Sequence, residues 1–202
     1  MTRWTDRFSV VRAGSDLVVR DTMVRALVVL RVVVLVNTLA LGWYRRDNLV
    51  HPTAGLVVFV AITVWTGVAV WAYAADERRR APLLLVDLAV ALAAIGVSPW
   101  IKGDEMRATL PGFWVMGAVL AWAIQWRWLG GLVAAVAVCA VDLGARVSVD
   151  QSNYGNIFLL LIGGPLVGFL SGLLQDMARE RDAAERAAAA AAERARLARV
   201  VH

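Results

Sequence analysis

Gly155 to Arg181 reads GNIFLLLIGGPLVGFLSGLLQDMARER, and within these residues the chain changes solvent. Gly155 to Leu174 is almost unbroken hydrocarbon, long enough to cross a bilayer core of roughly 30 Å as a helix. From Gln175 the composition turns abruptly to Ala, Arg and Glu, and no Gly or Pro interrupts it up to His202. This predicts one helix that leaves the membrane and runs on for roughly 40 Å at about 1.5 Å per residue. Asp182 and Arg186 are spaced for a pair on one face of it. A heptad frame passes through Leu174, Met177, Arg181, Ala184, Ala188, Ala191, Ala195, Ala198 and His202, and a neighbouring frame ending at Val201 fits nearly as well. The expectation is a weak, Ala-rich parallel coiled coil whose register shifts at little cost; a solvated single helix is the alternative.

Within the apolar part, Gly164, Gly168 and Gly172 recur at every fourth residue and make a ridge of small residues. Such a ridge admits another helix closely, inside the bundle or across a dimer interface. Pro165 removes one helical hydrogen bond beside it.

Working back towards the N-terminus, 60% hydrophobic residues and a positive mean hydropathy exceed what a soluble domain needs for its core. About six apolar runs are long enough to span: Val24 to Trp43, Ala54 to Ala74, Pro82 to Trp100, Leu110 to Gln125, Leu129 to Val147, and Gly155 to Leu174. The turn at Trp126-Arg127-Trp128 is so short that the fourth and fifth runs read as a helical hairpin. The start of the chain does not resemble a cleaved secretory signal, because Arg3, Arg7, Arg12 and Arg20 precede the first long apolar run. These arginines, the loop cluster Arg78-Arg79-Arg80 and the Arg-rich tail place both termini in the cytoplasm.

The formal charge of +5 is spread along the flanks of the spans, which points to anionic lipid headgroups and not to nucleic acid. Cys139, the only cysteine, lies inside an apolar run; no intrachain disulfide or cysteine metal cluster is possible, and a packing role is expected. Of nine tryptophans, Trp43, Trp71, Trp100, Trp126 and Trp128 stand near span ends, where indoles favour the headgroup region. Charges inside spans need a reason, and here they are Arg31, Asp87 and Asp142. Arg31 and Asp87 fall at similar depth and are expected to pair, while Asp142 has Arg146 one turn further on. A proton or ion pathway through these groups is the sharper alternative to structural pairing. His51, beside Pro52, reads as a loop residue on the outer side.

The closing residues Glu193-Arg194-x-Arg196-Leu197-Ala198-Arg199-x-Val201-His202 resemble the start of the dimerisation and phosphoacceptor domain of histidine kinases that partner NarL-type response regulators. In that family an Asp follows the His and an acidic residue often stands where this chain has Val200. The membrane part is similar to the MacS-like actinobacterial sensor kinases. The blocks that carry the likeness are Arg25 to Arg31, His51-Pro52, Asp87, Leu110 to Trp114, Leu120 to Ala123, and Asn156 to Leu161. Ala, Val and Arg dominate and Lys102 is the sole lysine, which suits a high-GC genome.

The resemblance implies that His202 attacks the γ-phosphate of ATP, as a neutral imidazole nitrogen is able to do. It implies a homodimer, a NarL/LuxR-type response regulator as partner, and ATP with Mg²⁺ held by a kinase domain further along the protein. The chain itself carries no Gly-rich nucleotide-binding segment and is expected to be inactive alone, with no cofactor or metal of its own and no direct contact with nucleic acid. The expected fold is all-α: a cytoplasmic tail over 1–23, a polytopic plasma-membrane bundle of about six helices over 24–174, and a coiled-coil-like cytoplasmic signalling helix over 175–202. The outer loops are too short for a separate ligand-binding domain, so the bundle is expected to sense a membrane or envelope condition. A small transporter, or a scaffold with a coiled-coil tail, are the alternatives.

Overall fold

The computed structural model describes residues 14–74, 81–102, 109–145 and 151–201. Five long helices follow one another: α1 (Gly14–Tyr44), α2 (Pro52–Tyr73), α3 (Ala81–Ile101), α4 (Met116–Gly144) and α5 (Gln151–Val201), with 3-10 turns at Arg46–Asn48 and Gly112–Val115. Among the described residues there is no strand, only an isolated bridge between Leu49 and Lys102. The all-helical membrane fold expected from composition is thus present.

Five helical stretches are long and apolar enough to cross a membrane, where the sequence suggests about six. The difference lies in Gly112–Gly144, which takes in both the fourth and the fifth apolar run. Its helix is broken at Trp126 (φ −115°, ψ 21°) and Arg127 (φ 58°, ψ −149°). Positive φ on a side chain as large as arginine costs on the order of 1–3 kcal/mol and persists only where surrounding contacts hold it. The break brings its two sides together: a Cβ on Gly130 would lie 2.4 Å from the Trp122 carbonyl oxygen. In a straight helix residues eight apart are separated by about 12 Å. The arms on either side of Arg127 therefore lie against each other, and both Val119 and Gly131 reach Gly164 of α5.

Within the bundle, before the α5 stalk, the helices are largely apolar all round, as membrane spans are. Large side chains such as Val29, Val33 and Val36 of α1 and Leu56, Val57, Val60 and Val64 of α2 point outward, while Ala69, Ala91, Ala134 and Ala135 lie within. Lipid chains are as apolar as valine, so nothing drives valine inward, and small residues let backbones close up. Thr66 and Ser98 are interior, and their hydroxyls are satisfied. The Thr66 hydroxyl donates to the Ile62 carbonyl and accepts from the Trp114 indole, both at 2.8 Å. The Ser98 hydroxyl donates to the Ala94 carbonyl at 2.8 Å and accepts from the Leu110 amide at 3.1 Å. These two bonds fix the segment entering α4 onto α2 and α3.

Two ends of the bundle are defined by contacts. The Ser171 hydroxyl of α5 donates to the Met23 sulfur of α1 at 3.3 Å, which places the start of α1 beside the part of α5 that leads into the stalk. At the far end, the amides of Val50 and His51 donate to the Ile101 carbonyl at 3.0 and 3.3 Å, tying the α1–α2 connection to the end of α3. Pro52 opens α2 there, where a helix has no use for its missing N–H.

Candidate functional site

Arg31 and Asp87 form a buried ion pair, exposed to 1% and 0%. Arg31 reaches Asp87 with both terminal nitrogens, Nη1 to Oδ1 at 3.1 Å and Nη2 to Oδ2. The Trp65 indole donates to Oδ1 at 2.8 Å and the Tyr73 hydroxyl to Oδ2 at 3.1 Å, so each carboxylate oxygen accepts two bonds. The Tyr73 ring also lies 5.2 Å from the guanidinium carbon, within cation–π range. Three helices thus converge on Asp87. The Arg31 Nε is buried with no partner, and the Arg31 side chain is pressed against Gly117, where a Cβ would come within 3.0 Å of it. Glycine at 117 is what lets α4 approach so near the guanidinium.

The glycine ridge of α5 is filled from within the chain. A Cβ on Gly168 would lie 2.3 Å from the Arg127 carbonyl oxygen, and one on Gly131 would lie 2.2 Å from that of Gly164. The broken segment of α4 thus rests backbone to backbone on α5. From there the Arg127 side chain runs along Gly172 and ends in a two-pronged pair with Asp176, Nη2 to Oδ1 at 2.6 Å and Nη1 to Oδ2 at 3.2 Å. Asp176 also accepts from Arg179 at 3.3 Å. The pair sits where α5 passes from bundle to stalk. Arg20 of α1 bonds the Gln125 side chain at the same end.

α5 runs uninterrupted through Pro165 and on to Val201. Its stalk is exposed and laced with one-turn ion pairs: Asp182 with Arg186 at 4.0 Å, as the spacing suggests, and Glu193 with Arg196 at 3.8 Å. His202 lies outside the described residues, as do Arg146, the tail arginines Arg3, Arg7 and Arg12, and Arg78-Arg79-Arg80. Asp142 is 8% exposed in the second arm of α4. Cys139 is buried in the main apolar cluster with its sulfur 4.0 Å from the Ile157 carbonyl oxygen, which is the packing role expected of it. His51 is exposed at the N-cap of α2. Among the described residues no cluster of His, Cys, Asp and Glu is arranged to hold a metal ion.

The Arg31–Asp87 pair was expected from depth alone. Trp65 and Tyr73 were not, although their polar tips, two turns apart on α2, were the available signal. The Arg127–Asp176 pair was also missed: Asp176 is the first acid after the last span and Arg127 the one charge in the short turn, but nothing local aligns them.

No curated protein and no solved structure matches this chain. Residues 12–188 match the protein family described as a family of unknown function, DUF5931, and with most of its length covered the chain belongs to that family.

Proposed function

We propose that this chain is the membrane sensor region of a two-component histidine kinase, controlling autophosphorylation at His202 and phosphotransfer to a NarL-type response regulator. The observation that supports it is α5: one helix begins at the far end of the bundle, is gripped by the Arg127 segment, and runs 51 residues to the position before His202. Motion of the bundle therefore has a continuous covalent route to the phosphoacceptor. Counting the arms of α4 as two crossings gives six spans, and Arg127 then lies on the cytoplasmic side with the stalk and both termini. The stalks of two copies pair as a coiled coil, and ATP with Mg²⁺ binds a kinase domain in the parent protein.

The test is autophosphorylation of the full-length protein in lipid nanodiscs with labelled ATP and Mg²⁺. Acid-labile phosphate on the wild type and none on His202→Gln is the expected result. Equal labelling of both, or none on the wild type, would overturn the reading, and a scaffold with a coiled-coil tail would take its place.

A further inference from the structure

At the end of the bundle away from the stalk, α1, the segment entering α4, the second arm of α4 and the start of α5 line a half-open cavity of about 210 Å³. Its lining is chiefly apolar, with Phe113 and Leu159 among the side chains. Six polar side chains interrupt it: Asn37, Thr38, Arg45, Thr109, Asp142 and Asn156. Asn37 stands about 10 Å in from the Tyr44 end of α1, beside Thr38, whose hydroxyl donates to the Pro111 carbonyl at 3.2 Å. Among the described residues neither the Asn37 nor the Asn156 side-chain amide has a hydrogen-bond partner. Both residues are exposed at the rim of the cavity, so their amide donors and acceptors are open to a bound molecule.

We propose that this cavity is a binding site for a small neutral amphiphile, one ring or one short chain carrying a hydroxyl or carbonyl head held by Asn37 and Asn156. Size sets the upper limit. The volume lies between an apolar cavity of about 150 Å³ that takes benzene and the roughly 300 Å³ at which drug-sized pockets begin. Molecules of about ten to fifteen non-hydrogen atoms fit, and a diacyl phospholipid does not. The head is neutral because Arg45 and Asp142 put one charge of each sign on the lining and side-chain amides both donate and accept. The ligand reaches the site from the membrane, and its contacts bridge α1 and α5.

The site deepens the sensor reading by naming the class of signal. Binding is measured on the chain itself without phosphorylation, so the two proposals fail separately.

The chain in nanodiscs is photolabelled with 3-azioctanol, a medium-chain alcohol bearing a diazirine, and the adducts are mapped by mass spectrometry. Saturable labelling concentrated on Leu110 to Met116 and on Leu159, and displaced by 1-octanol more readily than by octanoate or octylammonium, is expected. Leu159→Trp, which fills the cavity, should lower it at least fivefold. Asn37→Leu with Asn156→Leu keeps the volume and should weaken competition by 1-octanol about tenfold, the effect of two lost hydrogen bonds. Should the Trp variant fail to assemble, the double Leu variant decides. Unsaturable labelling, equally dense on the lipid-facing Val29, Val57 and Val64, would overturn the proposal in favour of simple partitioning. Stronger displacement by octanoate or octylammonium would overturn the neutral head. Labelling seen in detergent but abolished by bilayer lipid would overturn it in favour of a lipid chain end.

Discussion

The stalk end and the far end of the bundle are built on opposite principles from the same helices. At the stalk end α1 and α5 touch through Met23 and Ser171, Arg127 lies backbone to backbone on Gly168, and Asp87 is saturated by Arg31, Trp65 and Tyr73. At the far end a cavity of about 210 Å³ separates α1 from α5, and two amides face it. Close packing and filled hydrogen bonds specify one arrangement; a cavity lined by adaptable side chains tolerates several. The difference places the readable, changeable part of the molecule away from the stalk and the fixed part next to it.

The largest effect that would break this contrast comes from Asp87. Asp87→Ala leaves the buried Arg31 charge uncompensated and should destabilise the bundle by about 3–5 kcal/mol. Unfolding of the detergent-solubilised chain should show this loss, and Arg31→Met with Asp87→Leu should recover much of it. Next is Gly168→Ala, whose Cβ meets the Arg127 backbone at 2.3 Å. Overpacking of this kind costs about 1–3 kcal/mol, and the same measurement should rank it below Asp87→Ala. Arg127→Ala should cost under about 1 kcal/mol, because both partners are about half exposed, 41% and 47%. Its signature is local: amide exchange around Asp176 should quicken while α2 and α3 stay protected. The smallest effect belongs to the far end, where Asn37→Leu should shift stability by no more than about 0.5 kcal/mol. A large loss there would mean that the cavity end is as tightly specified as the stalk end.

Hydropathy located the apolar stretches because a membrane span is a length of apolar chain, legible residue by residue, but it counted about six runs where five helical stretches stand. The Arg31–Asp87 pair was legible for a related reason: a charge in hydrocarbon demands a partner, and depth along each helix narrows the choice. The hairpin at Trp126-Arg127 was foreseen from its shortness, but the left-handed backbone at Arg127 was not, since it depends on a helix far away in sequence that holds it there. Gly164, Gly168 and Gly172 announced a close approach without saying to what; only the tertiary structure shows that the chain itself supplies the neighbour. The cavity was wholly illegible, because a void belongs to no segment. Asn37 and Asn156, polar residues in apolar runs, were its one trace.

The crossing of Gly168 against Arg127 gives α5 a fulcrum. From Gly168 to Asn156 at the cavity is about 18 Å of helix, and from Gly168 to Val201 about 50 Å, at about 1.5 Å per residue. A rigid tilt about that point multiplies displacement nearly threefold between the short arm and the long one. A shift of about 1 Å beside the cavity, the scale of one side chain repacking, thus becomes a swing of about 3 Å at the stalk tip. At this pivot backbone rests directly on backbone, with no flexible side chain between to absorb such a motion.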